Sequence, residues 1–228
     1  MLYGFAGQVL HVDLTEGQLT IERPDEKFYR QYVGGSLMGL YYLWRNTPPG
    51  IDALDPRNTL TFALSAPTGL PVSGQSRCTA TCKSPTTKGV ADSQAGGFWP
   101  AELKFAGFDG VFFSGAAPRP MYLLIEDGRA ELRDADDLWG LGVTALEDLL
   151  VQRHGKGIQV CSIGPAGEKL ALTACIMNDR ERAAGRSGLG AVMGSKKLKC
   201  VVVKGKLKVP VHDEQKMKDL RKHYLKQA

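Results

Sequence analysis

The sequence predicts an α+β fold of two similar β-sheets, related by an internal pseudo-twofold duplication and carrying short helices. Repeated blocks predict it first. LTFALSAPTGL at 60–70 returns as IQVCSIGPAGEKL at 158–170, and GGFWPAELKFAGFDGVFFSGAAPRP at 96–120 returns as SGLGAVMGSKKLKCVVVKGKLKVP at 187–210. Their spacing is the second observation: the offset from Pro67 to Pro165 is 98 residues and that from Gly115 to Gly205 is 90, so the two blocks recur at similar spacing. Composition is the third. Glycine, 27 of 228 residues, exceeds the usual share of about 7%, which favours frequent turns and a β-containing fold. Each copy reads strand, Pro-x-Gly turn, strand, polar glycine loop, short helix, strand. Chance likeness of short apolar strands is the competing reading, and the similar offset of two separate blocks weighs against it.

Taken in order, residues 7–14 and 18–22 form a hairpin closed by Thr15-Glu16-Gly17. Pro24-Asp25 then opens a helix, with Phe28, Tyr32, Leu40 and Leu43 in roughly helical spacing. Gly34-Gly35 interrupts it, which signals a break or the close approach of another segment, and Pro48-Pro49-Gly50 ends it. Strands are expected at 60–64, 76–82 and 88–93, followed by a helix at 98–106 and a strand at 110–114. A second hairpin pairs 121–126 with 130–133 about Asp127-Gly128. An amphipathic helix fits 144–154, strands fit 158–163, 171–177 and 198–204, and a short helical run fits 191–197.

At this length the chain forms one large domain or two small ones and can bury a substantial core. With 43% apolar and 23% charged residues it reads as a soluble globular protein. No apolar run reaches the roughly 18 residues of a membrane helix, so no membrane partner is expected. MLYGFAGQVLHVDL lacks the basic and then apolar order of a signal peptide. Five cysteines, an odd number, read as reduced thiols of a cytoplasmic protein. The net charge of +5 is concentrated in 206–228, where seven Lys and Arg face three acids. The body therefore has no basic excess with which to bind nucleic acid. In that tail Met217, Leu220, Tyr224 and Leu225 make an apolar stripe at helical spacing, suited to packing on something outside this chain.

The most informative stretch is RAAGRSGLG at 182–190. Glycines let backbone N–H groups approach a ligand, guanidinium groups grip phosphate oxygens in pairs, and a following helix start adds partial positive charge. The corresponding loop of the first copy is Asp92–Gly97, with Arg77 in the strand before it. Arg77, Arg182 and Arg186 together could neutralise a doubly phosphorylated ligand. As isolated surface residues, each would contribute under about 1 kcal/mol through a salt bridge. Three arginines in two duplicated glycine loops favour the ligand. Gly188-x-Gly190-x-x-x-Gly194 departs from the dinucleotide fingerprint, because a polar stretch separates it from the preceding strand and its helix is short. Cys78 and Cys82 lie on one face of an expected strand and read as core thiols rather than metal ligands.

GQVLHVDLTEG, GGFWPAELKFAGFDG, SIGPAGEKL, IMNDRERAAGRSGLGAVMGSKKLK and the VVVKG after it resemble the N-terminal domain of tungsten-containing aldehyde:ferredoxin oxidoreductases. The likeness runs from about Gly4 to Gly205, and tungsten-dependent benzoyl-CoA reductase subunits share the same domain. It implies an aldehyde ferredoxin oxidoreductase N-terminal domain-like fold that cradles a tungsten bis-pterin cofactor (tungstopterin), whose phosphates share a magnesium ion. By the same resemblance, Arg77, Arg182 and Arg186 would bind cofactor phosphates and pterin edges. Gly96, Ala183 and Gly185 would offer backbone contacts, and the carbonyls of Gln94 and Ala183 would hold Mg. Gln94 stands where relatives have asparagine, a change that a main-chain contact tolerates.

Family members are roughly three times longer, and their later domains carry the [4Fe–4S] cysteines and the proton-transfer residues. Residues 1–208 are thus expected to be the tungstopterin-binding domain, and 209–228 a basic helical tail that starts a further domain. The implied protein is an oxidoreductase acting on aldehyde or oxo groups with ferredoxin, an iron-sulfur protein, as acceptor. Its partners would be the remaining domains or a subunit supplying them, and a homo-oligomer is expected. This chain alone has no catalytic residue and should be inactive. The alternative is a stand-alone, non-catalytic module that binds a pterin or a partner.

Overall fold

The computed structural model describes residues 2–226; Met1, Gln227 and Ala228, the ends of the two expected segments, lie outside the described residues. In chain order the elements are β1 (Val9–Asp13), β2 (Gln18–Glu22), α1 (Glu26–Tyr32), α2 (Gly35–Asn46), β3 (Leu60–Leu64), β4 (Cys78–Lys83), β5 (Val90–Ala95), α3 (Trp99–Phe105) and β6 (Gly110–Ser114). There follow β7 (Met121–Glu126), β8 (Arg129–Asp134), α4 (Val143–His154), β9 (Gln159–Ser162), α5 (Pro165–Glu168), β10 (Ile176–Asn178), β11 (Arg182–Ala184), α6 (Leu189–Ser195), β12 (Leu198–Lys204) and α7 (Glu214–Leu225).

Among the described residues the strands form two six-stranded sheets, β2-β1-β6-β3-β4-β5 and β8-β7-β12-β9-β10-β11. Position for position they correspond. In both, the hairpin joins through a parallel pair, β1 with β6 and β7 with β12, and every other pairing is antiparallel. The duplication therefore includes the hairpins β1–β2 and β7–β8, whose sequences have diverged past recognition.

Period-two alternation explains why the central strands are apolar along their whole length. Leu10, Val12, Phe62, Val111 and Phe113 of the first sheet meet Leu123, Ile125, Cys161, Val201 and Val203 of the second in one shared core, which also takes in α3 and α6. Residues pointing the other way meet helices. Val9, Ala63 and Phe112 pack with Tyr29, Met38 and Tyr42 of α1 and α2. Tyr122, Val160, Cys200 and Val202 pack with Leu146 and Leu150 of α4. Trp99 is fully buried, and its indole N–H donates to the Val201 carbonyl at 2.9 Å, which fastens α3 to the opposite sheet.

Gly34-Gly35 does break the first helix. Val33, Gly34 and Gly35 all have positive φ, and a Cβ at Gly34 would overlap the Leu64 carbonyl oxygen. Cys78 and Cys82 are free thiols in the shared core, and burial pushes both well above the usual thiol range. Two expectations need correction, and one element was not expected. The strand expected at 171–177 is confined to β10, because the Ala174 carbonyl instead accepts the Gly190 N–H of α6 at 3.0 Å. The polar stretch 178–186 is not all loop, since it contains β11. The helical turn α5 carries no apolar periodicity that could have announced it. After β12 the chain stays bonded to the body, with Leu207 N–H donating to Phe105 O and Gly4 N–H to Pro210 O. Helix α7 buries none of its residues, and its Leu220, Tyr224 and Leu225 are exposed.

Candidate cofactor site

The site forms where the outermost strands of the two sheets, β5 and β11, pack against each other. Each sheet ends there in a hairpin, and each hairpin turn reaches the glycine loop of the other half. On one side Ser84, after β4, donates its hydroxyl to the Ser187 carbonyl at 2.9 Å, while Thr86 donates to Leu172 O at 3.0 Å. On the other, Asn178 donates its side-chain N–H to the Gly96 carbonyl at 3.2 Å. Its neighbour Asp179 accepts the Phe98 and Trp99 N–H groups through Oδ2. The glycines are required by this closeness. A Cβ at Gly97 (φ +97°) would overlap Asp179 Oδ2, and one at Gly188 (φ +73°) would lie 2.5 Å from the Leu172 carbonyl.

Between these two docking points lie the residues singled out from the sequence. Arg77, Gly96 and Arg182 line one cleft of about 690 Å³, together with Gly97, Phe98 and Asp179. A Cβ on Gly96 would meet Arg77 Nη1 at 3.4 Å, so the guanidinium lies along the glycine backbone. Glu147 and Glu181 also border the cleft; Glu147 is engaged by Arg180 at 2.9 Å. Ala183 is exposed on β11, and Gly185 and Arg186 are exposed just beyond it, toward the Ser84 end of the seam. Gln94 is exposed on β5. Two local expectations change. Asp92–Ala95 is strand rather than loop, paired with β4 through Thr79 to Gln94 and Thr81 to Asp92. Arg77 stands just before β4 instead of within it.

Charge pairing separates these arginines from many others. Arg30, Arg57, Arg119, Arg133, Arg153 and Arg180 each form a salt bridge with a carboxylate. Among the described residues Arg77, Arg182 and Arg186 form none, and all three are exposed. The helix start after Gly188 adds less than the sequence suggested, because the Gly190 N–H is bonded to Ala174 O within the protein. Among the described residues no group of three or more His, Cys, Asp or Glu side chains is placed to hold a metal ion. Asn178, Asp179 and Ser84 escaped the sequence reading. Asn178-Asp179 after an apolar run signals a turn, yet nothing in that signal names the distant glycine loop it contacts.

A doubled sheet with two reciprocally docked, cationic edges is the class of scaffold this geometry defines. The model of the aldehyde ferredoxin oxidoreductase N-terminal domain matches residues 9–205. The chain belongs to that family. It is 41% identical over 220 residues to a tungsten-containing aldehyde ferredoxin oxidoreductase of Pyrococcus abyssi, covering 96% of this chain and 36% of the relative. The corresponding protein of Thermococcus kodakarensis is 40% identical, at 94% and 36% coverage. A WOR-like subunit of an aliphatic sulfonate oxidoreductase from Pyrococcus furiosus is 34% identical, at 99% and 39%. Among solved structures, a chain of the BamBC active-site complex of benzoyl coenzyme A reductase with 1,5-dienoyl-CoA superposes with a TM-score of 0.95. It is 37% identical and covers 99% of this chain and 35% of that one. This chain thus spans little over a third of the length of these relatives.

Proposed function

We propose that this chain is the cofactor-cradling N-terminal part of a tungsten-dependent oxidoreductase that acts on aldehyde or oxo groups, with ferredoxin as electron acceptor. One observation supports it above the rest: Arg77 and Arg182, from opposite halves, flank the Gly96–Gly97 backbone around one cleft and form no salt bridge among the described residues. This donor set fits a doubly phosphorylated ligand, since guanidinium forks match phosphate oxygens and glycine leaves the backbone uncovered. Arg77, Arg182 and Arg186 would hold the phosphates and pterin edges of a tungsten bis-pterin. Gly96, Ala183 and Gly185 would present main-chain groups to it. The carbonyls of Gln94 and Ala183, on the two adjoining edge strands, are hard oxygen donors of the kind that Mg accepts. When bound, the group supplies two-electron redox chemistry at the substrate carbon. This chain's residues position it, neutralise its phosphates and keep the two sheet edges in register.

The portion beyond this chain would supply the [4Fe–4S] cluster, the proton-transfer residues and the ferredoxin contact, and 209–228 would lead into it from a domain spanning 1–208. Five free cysteines accord with a cytoplasmic enzyme, and no described helix is long and apolar enough to cross a membrane. Homo-oligomerisation belongs to the same reading. Tungsten analysis of the complete enzyme tests it. Arg182→Ala should lower tungsten per chain at least tenfold, and Arg77→Ala should do the same. Full tungsten in both variants would remove the assignment.

A further inference from the structure

We infer that Asp179 is a positioning residue of this site: its carboxylate locks the arginine hairpin of one half onto the glycine loop of the other and so sets Arg182 opposite Arg77. The inference rests on the cofactor-site reading above for its consequence, but on geometry for its substance.

Asp179 opens the three-residue turn between β10 and β11, and Asp179 and Arg180 both have positive φ, 48° and 65°. Such a turn holds its shape only when anchored. Arg180 anchors one side, with Nε to Glu147 Oε1 at 2.9 Å and Nη2 to Asp148 Oδ1 at 2.8 Å, both on α4. Asp179 anchors the other, accepting two successive amides, Phe98 N–H and Trp99 N–H, with Asn178 adding the bond to Gly96 O. Arg182 follows directly: its Cγ would lie 3.3 Å from a Cβ on Gly97, so the arginine leaves the hairpin against the strip that Asp179 grips. The carboxylate thereby satisfies the first amides of α3 and leaves the guanidiniums as the cationic groups of the cleft. Its second oxygen, Oδ1, is buried without a hydrogen-bond partner among the described residues, and burial raises the acid above its ordinary range. Asp179 is half-buried, and leaving one carboxylate oxygen unpartnered is costly, a cost that the alignment of the two halves offsets.

The test compares Asp179→Ala, Asp179→Asn and Arg182→Ala in the complete enzyme. Tungsten is read by mass spectrometry and backbone exchange by hydrogen–deuterium exchange. Asp179→Ala should speed exchange of the Phe98 and Trp99 amides at least tenfold and lower tungsten at least fivefold. Asp179→Asn keeps an acceptor oxygen and should restore most of both, a rescue that general destabilisation would not give. If the alanine variant does not fold, Asp179→Ser takes its place, since its shorter hydroxyl cannot span both amides. Unchanged exchange at Phe98 and Trp99 would overturn the inference. So would wild-type tungsten in Asp179→Ala alongside loss in Arg182→Ala, which leaves the cofactor reading standing. Fast exchange with full tungsten in every variant, Arg182→Ala included, would overturn both.

Discussion

Lys196 shows how a single buried cation reports on this fold. It is fully buried, and its ammonium donates to the carbonyls of Pro56 at 2.8 Å and Gly115 at 3.0 Å. Burial pushes its pKa down from the ordinary 10.5 to about 8, partly opposed by the nearby Cys82, Asp55 and Asp13. The sign follows from linkage: between those two values the unfolded chain still holds a proton that the folded chain has released. Stability from this residue therefore rises as pH climbs through that window and is flat below it. Relative to Lys196→Met, the wild type should gain about 2 kcal/mol between pH 7.5 and pH 9.5, at 1.36 kcal/mol per pKa unit. Urea midpoints at the two pH values measure it; a constant difference would mean that Lys196 is not desolvated as described. A second buried lysine is pushed down by burial in the same way, but it has a carboxylate partner that opposes the shift. Lys104 is paired with Asp109 at 2.6 Å, and Asp109 also accepts from Ala6 N, Gly7 N and the Tyr29 hydroxyl. That network pins the N-terminal segment to the start of β6. The sequence shows a lysine and an aspartate five apart, but the burial that makes them a network comes from the surrounding layers.

Among the elements, α5 and α6 depend on glycine at their crossing. A Cβ on Gly194 would overlap the Gly167 carbonyl, and one on Gly167 would sit 2.9 Å from Gly190 O. Both obstacles are backbone, which cannot rotate away. Gly194→Ala should cost about 3 kcal/mol through forced separation of the helices, whereas Gly89→Ala, at a spacious turn, should change stability by less than about 0.5 kcal/mol. Chemical denaturation of the two variants decides; equal midpoints would contradict the packing described. Hairpins and long strands were readable because alternation and Asp127-Gly128 are local signals, and β1–β2 and β7–β8 lie within a residue or two of expectation. The three-residue β11, Arg-Ala-Ala, was not readable. It has no alternation of its own and becomes a strand because β10 and the neighbouring edge β5 lie beside it.

For the molecule as a whole, the shared core decides the folding unit. The inward faces of both sheets contribute to one cluster, and α3 of the first half packs on β12 and β9 of the second. Each half alone would expose that face to water. Fragments 2–117 and 118–226 should therefore fail to fold separately, and the intact chain should melt in one transition with matching calorimetric and van't Hoff enthalpies. Circular dichroism of the fragments checks this, and a cooperative melt in either one would refute it. The duplication is thus a matter of topology while stability is joint.

By itself the sequence determined the doubled α+β plan and the positions of most strands, because periodicity, turn residues and repeated blocks are written in local order, while the family followed from the resemblance of its longest blocks to known relatives. Tertiary structure alone decided that Arg77 and Arg182 share a cleft, that β5 and β11 close the seam, and that Asp179 grips the glycine loop of the other half. The physical reason is distance along the chain. Contacts between residues some 80 to 105 positions apart arise from the packing of two sheets, and no local pattern encodes which distant backbone a short polar side chain will meet.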